Sequence, residues 1–122
     1  GQLCRRPVSL IDIYPTLAQL TGLTPPGHLQ GASLRPLLDH PERLGKKNYA
    51  YSIVTRGKGM GYALRNQRWR YGKWPDGEEL YNLTNDPEEK NNLVTKRGLE
   101  HRLGEFRRVL KIRQDQASSK RD

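Results

Sequence analysis

Two runs of alternating apolar and polar residues, "GMGYALR" and "RWRYGKW", lie on either side of Asn66 and Gln67. Because successive side chains of a strand point to opposite faces of a sheet, this period of two predicts a β-hairpin. We expect a two-residue loop between the strands. A slip of one residue would mix apolar and cationic positions, so the pattern itself favours one register. The expected cross-strand pairs are Arg65–Arg68, Leu64–Trp69, Tyr62–Tyr71 and Met60–Lys73.

This register gives the hairpin one apolar and one cationic face. The apolar face, which also carries Lys73, consists of Met60, Tyr62, Leu64, Trp69 and Tyr71. The opposite face collects Gly61, Ala63, Arg65, Arg68, Arg70 and Gly72, with Trp74 following on the same side. Surfaces that bind single-stranded nucleic acid place stacking aromatics and cations together. The separation therefore predicts that nucleic acid is not a partner.

The segments around the hairpin predict an α+β fold. "NYAYSIV" before it and "ELYNL" after the turn signal "PDG" are further strand candidates, and a four-stranded antiparallel sheet is the economical arrangement. From near Gly98 a last helix is expected, because four apolar residues recur at helical spacing: Leu99, Leu103, Phe106 and Leu110. This stripe is expected to cover the apolar face of the sheet. After Gln114 the chain becomes polar, and residues 115–122 are expected to be a disordered tail.

The segment "SLIDIYPTLAQLTG" predicts a helix near the start of the chain. Either Ser9 and Asp12 form a capping box, or Asp12 itself caps a helix that begins nearer Pro15. Gly22 is a natural stop. A capping role for Asp12 is favoured over a ligand role. The shared apolar face, which predicts that this helix lies against a core, consists of Leu10, Tyr14 and Leu17, with Leu20 and Leu23 as further members.

Two short segments also carry helix-start signals. In "ASLRPLLDHP", Ser33 can cap a single turn that Pro41 prevents from extending. In "NDPEE", Asp86 and Glu89 flank Pro87 as a cap and a reciprocal carboxylate, so one helical turn is expected there.

The charge balance points to anionic partners. The chain has 122 residues, a formal net charge of +9 and no carboxylate between Glu42 and Asp76. Such a charge fits sulfated sugars, nucleic acid or acidic membrane in general. No apolar run is long enough to cross a bilayer, and no membrane partner is predicted. The chain begins with Gly1 rather than methionine, which favours a piece of a longer protein.

No catalytic or metal-binding residue is predicted in this chain. Cys4, the one cysteine, has Arg5 and Arg6 beside it but no histidine nearby, so a structural or incidental role is favoured. His28, His40 and His101 show no ligand spacing. The glycines of "RGKGMG" are not followed by a helix or a Lys-Ser/Thr pair, which excludes a phosphate-binding loop. This segment is either an inert loop or one that contacts substrate.

Three segments in order resemble the C-terminal part of type I sulfatases of the iduronate-2-sulfatase-like kind, in the alkaline phosphatase-like superfamily. They are "RPVSLIDIYPTLAQLTGL" with "LQGASLRPLL", then "AYSIVTRGKGMGYALRNQRWRYGKW", then "EELYNLTNDPEEKNNL". The resemblance runs from about Arg6 to Leu93. It implies a sulfuric ester hydrolase that acts on a carbohydrate sulfate, with this chain as an inactive C-terminal fragment.

The resemblance also implies where the chemistry lies. In such enzymes a large α/β domain carries a formylglycine made from cysteine and a calcium ion that stabilises the sulfate oxygens. Cys4 stands in "CRRPV" rather than in the modified motif, so both groups are expected in the missing catalytic domain and no cofactor is expected here. Residues 1–45 are expected to end that large domain, and residues 46–114 to form the sheet and helix subdomain.

The resemblance further implies that loops of this subdomain overhang the substrate. The candidates for contact with the sugar or its anionic groups are Tyr51, Arg56, Lys58, Met60 and Trp74. The implied partners are the chain's own N-terminal catalytic domain and the sulfated sugar, with self-association of the isolated fragment through its bare helix. Periplasmic, secreted or lysosomal placement is implied by the family. The competing hypotheses are a stand-alone basic module that binds polyanions and a purely structural lid.

Overall fold

A computed structural model describes residues 2–42 and 49–118, apart from the side chains of Arg56 and Ser118. The chain divides into two compact units, Gly1–Tyr49 and Ala50–Asp122. The first unit contains a 3-10 turn, Leu10–Asp12, that leads into helix α1, Ile13–Leu20, followed by helix α2, Arg35–Asp39. The second contains strands β1, Ala50–Arg56; β2, Gly59–Arg65; β3, Trp69–Trp74; and β4, Gly77–Asn82; and helix α3, Glu100–Ser118.

The four strands form one antiparallel sheet in the order β1-β2-β3-β4, as predicted. The expected register of the β2–β3 hairpin is wrong by two residues, because Tyr62 pairs with Lys73 and Leu64 with Tyr71. Four residues, 66–69, consequently connect the last paired residues of the hairpin, Arg65 and Arg70, although Trp69 already belongs to β3. Asn66 Oδ1 closes this connection by accepting the amides of Arg68 at 2.9 Å and Trp69 at 2.7 Å. An asparagine side chain that bonds its own turn stabilises this longer loop.

The predicted faces of the sheet are nevertheless confirmed, because a shift of two residues preserves the alternation of side chains. The ring of Tyr71 stacks on Phe106 of α3, with 5.6 Å between ring centroids. Tyr62 and Leu99 are only half-buried. The buried apolar core comprises Leu64, Trp69, Tyr71, Leu80, Leu103, Phe106 and Leu110. The C-terminal helix therefore covers the face that the sequence predicted.

The capping role of Asp12 is confirmed. Its Oδ2 accepts the Ser9 amide at 3.0 Å, and its Oδ1 accepts the Ala32 amide at 3.0 Å. The helix ends as predicted, with Gly22 at a φ of +77°. Thr16 Oγ1 accepts the Leu34 amide at 2.8 Å, so the following segment is fastened to α1 by side-chain bonds.

The apolar face of α1 lies exposed in the first unit, although the helix was expected to pack on a core. The exposed residues are Leu10, Ile13, Tyr14, Leu17, Leu20 and Leu23. Only Pro15 and Thr16 of the helix are buried. This exposure agrees with the expectation that an isolated fragment exposes the apolar face of α1, which a larger domain would cover in the whole protein.

Helix α2 is the predicted short turn. Ser33 Oγ accepts the Arg35 amide at 3.2 Å, and the helix stops at Asp39, two residues before Pro41. A proline cannot donate the backbone bond that the next turn requires.

Two other expectations are wrong. Residues 86–90 form no helical turn: Asp86 accepts the amides of Lys90 and Asn91, and Glu89 has a φ of +56° with its carboxylate bound to Arg70. The reciprocal bond of a capping box is therefore absent from this segment. Helix α3 continues to Ser118, so residues 115–118 are helical rather than disordered. The rest of the expected tail, 119–122, and the expected domain boundary at 45/46 lie outside the described residues.

Candidate functional site

The segment predicted as a loop is a tight turn. Arg56 pairs with Gly59, which leaves Gly57 and Lys58 as the two turn residues. Gly57 has a φ of +60°, a conformation that glycine adopts without strain. Met60 is consequently a residue of β2 rather than of a loop. The Lys58 side chain is exposed at the tip of the hairpin, and nothing is described of the Arg56 side chain.

The Trp74 ring lies against the backbone of the neighbouring strand β2 at Gly61. A Cβ added to Gly61 would lie 2.3 Å from the indole Cζ3, and one added to Gly72 would lie 3.5 Å from Nε1. Only glycine leaves room for a ring this close to the backbone. The indole Nε1 is buried and has no hydrogen-bond partner among the described residues. Gly61 therefore leaves the space that the indole ring occupies, whereas a Cβ at position 72 would make only ordinary van der Waals contact with the ring.

The five candidate residues do not form one cluster. Met60 and Trp74 share an open cleft of about 630 Å³ in the second unit. Tyr51 lies opposite Leu64 on β1, where burial and the neighbouring Tyr62 raise its pKa and Arg113 lowers it. Tyr51 and Lys58 are not among the residues that line the cleft. Of the four candidates with described side chains, the structure therefore brings two together.

The cleft runs between the sheet and the C-terminal half of α3. Its walls combine apolar surface with charged groups of both signs, which suits an amphipathic ligand better than a purely ionic one. The lining residues are Met60, Tyr62, Tyr71, Lys73, Trp74, Pro75, Glu78, Arg107, Leu110, Lys111, Gln114 and Asp115.

Glu78 contacts three polar side chains on one side of this cleft. Its carboxylate accepts the Tyr71 hydroxyl at 2.7 Å and the Arg107 Nε at 3.1 Å, and lies 3.5 Å from Lys73 Nζ. The hydrogen bond from Arg107 is the largest cause that lowers the pKa of Glu78, to about 2. Burial, followed by the bond to Glu78, raises the pKa of Tyr71. The carboxylate is thus held ionised, and the cations beside it are already paired.

The cationic face is also partly neutralised. Arg70 is bound to Glu89 and lies 3.9 Å from Glu79, while its guanidinium is 5.9 Å from the centroid of the Tyr81 ring. Its cross-strand neighbour Arg65 is exposed. Cations of the acid-free stretch are therefore paired with carboxylates from later segments of the chain, and no local pattern predicted these pairs.

Comparison with known proteins decides the family. The family model described as N-sulphoglucosamine sulphohydrolase, C-terminal, matches residues 2–116.

The chain belongs to this family.

Two curated relatives are similar in sequence to this C-terminal sulfatase domain. The chain is 34% identical to arylsulfatase K of Homo sapiens over 73% of this chain and 19% of the relative. It is 32% identical to the Delta 4,5-hexuronate-2-O-sulfatase of Bacteroides thetaiotaomicron over 82% of this chain and 22% of the relative. The chain thus spans about a fifth of the length of these relatives. The predicted resemblance is confirmed.

Solved structures share the α+β fold of the C-terminal sulfatase domain. BT4656, solved in complex with its substrate D-glucosamine-2-N,6-O-disulfate, matches with a TM-score of 0.78 and 24% identity, over 88% of this chain and 24% of that chain. BT1596, a 2-O GAG sulfatase, matches with a TM-score of 0.68 and 27% identity, over 91% and 25%. The predicted fold class is confirmed.

Metal-ligating side chains do not cluster in the part of the chain that the structure describes. Among residues 2–42 and 49–118, no group of three or more His, Cys, Asp or Glu side chains could hold a metal ion. Cys4 is half-buried and free. Across the described helices, none is long and apolar enough to span a bilayer.

Glu78 and Arg107 are the residues that sequence analysis missed. They are 29 positions apart, and each looks like an ordinary surface charge in its own segment. The one available signal was the position of Glu78 two residues before Leu80, which places both side chains on the same face if the predicted strand "ELYNL" extends by one residue.

Proposed function

We propose that this chain is the C-terminal subdomain of a sulfatase that hydrolyses sulfate esters of a carbohydrate. The observation that carries the proposal is the family match over residues 2–116 in a chain that spans about a fifth of its sulfatase relatives. The catalytic centre then lies in the remaining part of the parent enzyme. The isolated chain is expected to be inactive.

In the parent enzyme, residues 1–45 would complete the large α/β domain. The exposed apolar face of α1, which includes Leu10, Tyr14 and Leu17, supports this assignment because a soluble protein rarely leaves such a stripe uncovered. The catalytic domain is then the partner that covers it. Formylglycine and calcium, which the sulfatase family implies, would belong to that domain, because Cys4 stands in "CRRPV" rather than in the modified motif.

The sheet unit would contribute to the mouth of the substrate site. Trp74 offers a ring that lies against Gly61, and aromatic rings are common ligand contacts. Lys58 lies exposed at a hairpin tip, two residues after Arg56, and an arginine fork can bind a sulfate or carboxylate bidentately. Tyr51 and Met60 complete the candidate set. A periplasmic, secreted or lysosomal location follows from the family as part of this proposal.

The test uses the full-length parent enzyme and a sulfated glycosaminoglycan disaccharide. Trp74→Ala and Arg56→Ala are expected to raise KM about tenfold, which corresponds to about 1.4 kcal/mol of substrate binding, with a smaller change in kcat. Lys96→Ala, an exposed cation elsewhere in the second unit, serves as the matched control and should leave KM unchanged. Unchanged KM in all three variants would favour the structural lid. Turnover of an aryl sulfate by the isolated chain would contradict the absence of a catalytic centre.

A stand-alone module that binds polyanions is the rival hypothesis, favoured by the net charge of +9 and by exposed Arg65 and Arg68. Carboxylates pair with Arg70, Lys73 and Arg107, and this pairing reduces the positive charge that is available to bind a polyanion. Binding of the isolated chain to heparin and to single-stranded DNA with equal affinity and a steep salt dependence would favour this rival.

A further inference from the structure

Along the sheet, the cleft of about 630 Å³ is lined by one row of side chains. Tyr62 lies opposite Lys73 in the β2–β3 pair, and Lys73 lies opposite Glu78 in the β3–β4 pair. The next row on the same face is fully buried and consists of Leu64, Tyr71 and Leu80. The cleft therefore adjoins the core but presents a phenol, an ammonium group and a carboxylate.

Helix α3 adds cations to this cleft. Arg107 donates from both Nε and Nη2 to the Glu78 carboxylate, so its guanidinium is held in one orientation. A guanidinium has five N–H donors, and the Arg107 side chain is 54% exposed, so the remaining N–H groups are available to a ligand. The cleft is lined by three cations, Lys73, Arg107 and Lys111, and two carboxylates, Glu78 and Asp115, which leaves one positive charge in excess.

Apolar surface lies between these polar groups. Met60, Trp74 and Leu110 contribute it together with the ring of Tyr62. The Tyr62 hydroxyl is bonded to Met60 Sδ at 3.9 Å, and a thioether sulfur is a weak acceptor. A ligand oxygen would therefore be a stronger partner for this hydroxyl.

This combination of groups selects among the classes of ligand. A purely apolar molecule would take water from the charged groups and give them no partner, and an inorganic anion would leave the apolar surface uncovered. A peptide strand requires free backbone groups at a sheet edge, whereas Tyr62 and Lys73 lie on β2 and β3, which are paired on both sides. A sugar ring has hydroxyl groups around its rim and apolar C–H groups on its faces, so it suits both kinds of surface.

We propose that this cleft binds an acidic sugar unit, a pyranose ring that carries a carboxylate or a sulfate. The anionic group pairs with Lys73 and Lys111, where the cleft has its excess positive charge. Hydroxyl groups of the ring accept the remaining N–H groups of Arg107, and its C–H groups pack on the apolar side chains. The inference deepens the proposed function and rests on it for the source of the sugar, which is the carbohydrate substrate.

The test is an NMR titration of the full chain, in which the Nε1–H resonance of Trp74 and the amide resonances of Tyr62 and Lys73 report on the cleft. Glucuronate and glucose 6-sulfate carry the two anionic groups, and at least one is expected to bind with a Kd of about 1 mM, an ordinary affinity for a ligand of this size. Glucose lacks the charge, cyclohexanecarboxylate lacks the hydroxyl groups and inorganic sulfate lacks the ring. Each of these three is expected to bind at least about tenfold more weakly.

Substitutions locate the binding. Lys73→Gln and Tyr62→Phe are each expected to raise the Kd of the acidic sugar by about three- to tenfold, because each removes one polar partner. In Lys73→Gln, Glu78 keeps its bonds to Tyr71 and Arg107, so the unit stays folded, which circular dichroism verifies. Lys96→Gln is the matched control, since Lys96 is an exposed lysine of the same unit that does not line the cleft.

Four outcomes would overturn the proposal. They are no shift of these resonances at about 20 mM of either acidic sugar, equal affinity for cyclohexanecarboxylate, equal affinity for inorganic sulfate, or equal weakening by Lys73→Gln and Lys96→Gln. The second would show a cleft for any amphipathic anion, the third an ion site alone, and the fourth binding by diffuse charge. None of them bears on hydrolysis of sulfate esters by the parent enzyme, so a failure of this inference is distinguishable from a failure of the proposed function.

Discussion

The Tyr71 hydroxyl donates a hydrogen bond of 2.7 Å to Glu78 Oε1, which ties β3 to β4 on the face that α3 covers. The same carboxylate accepts the Arg107 guanidinium from α3. The Tyr71 ring meanwhile stacks on Phe106. A single carboxylate therefore connects two strands and the helix, and the packing of the second unit depends on its ionisation.

Stability of the second unit is expected to fall in acid because of Glu78. Its pKa in the folded chain is about 2, below its ordinary value of 4.5, so its contribution is complete above about 4.5 and is lost as the pH falls towards 2. Thermal unfolding of wild type and Glu78→Gln should be compared from pH 7 to pH 2. The difference in Tm is expected to be largest at neutral pH and to shrink through that window. A difference that stays constant with pH would contradict the assignment.

Phe106→Ala is expected to lower the free energy of unfolding by about 3–5 kcal/mol, because Phe106 is fully buried and loses both its burial and its stack on Tyr71. Ile112→Ala on the same helix is half-exposed and should cost less than about 1 kcal/mol. Urea unfolding monitored by circular dichroism compares the two. Since the alanine variant could unfold a small unit completely, Phe106→Leu provides an intermediate loss that remains measurable.

Gly61→Ala is expected to displace the Trp74 ring. A Cβ at position 61 would lie 2.3 Å from the indole, so the ring must move, at a cost of about 1–3 kcal/mol. Gly77→Ala adds the same methyl group where nothing lies within 4 Å and should leave the ring in place. The Nε1–H resonance of Trp74 in NMR spectra reports its position. An unchanged resonance in Gly61→Ala would show that the ring does not lie on Gly61.

The exposed face of α1 is expected to bind a hydrophobic dye in the isolated chain. Leu17→Gln should reduce the fluorescence of bound dye, because Leu17 is 57% exposed within a stripe of apolar neighbours. Leu38→Gln on α2 is the control, since Leu38 has a similar exposure of 58% outside the stripe. Equal loss in both variants would indicate scattered binding rather than one apolar face. Absence of dye binding in wild type would contradict the exposed face itself.

The register of the β2–β3 hairpin illustrates the limit of periodicity. Alternation in the sequence assigned Leu64 and Tyr71 to the buried face and Arg70 to the other face, and the structure agrees. The same alternation is satisfied by any shift of two residues. The choice between registers was made by Asn66, whose side chain bonds two amides of a four-residue loop. Local turn chemistry, rather than period, decides such a register.

Glu89 illustrates what a local signal cannot foresee. Its spacing from Asp86 is that of a capping box, yet its carboxylate binds Arg70, 19 residues away along the chain. The Asp86 amide donates instead to the Asn82 carbonyl at 2.8 Å. The charge-assisted bond from Arg70 to Glu89 is more favourable than a single helical turn, which is unstable in isolation. The candidate site shows the same limit, because of the four candidates with described side chains, Tyr51, Lys58, Met60 and Trp74, only the last two line this cleft.

The sequence by itself determined the four strands, the presence of helices α1 to α3, the faces of the sheet and the family, because apolar periodicity, helix caps and ordered motifs are local properties of the chain. The tertiary structure alone decided the charge pairs Glu78–Arg107 and Glu89–Arg70, and the contact of the Trp74 ring with Gly61. Each of these contacts joins segments that are distant in sequence or placed by the sheet register. Coulombic and steric interactions depend on distance in space, and that distance is fixed only once the strands and the helix have packed.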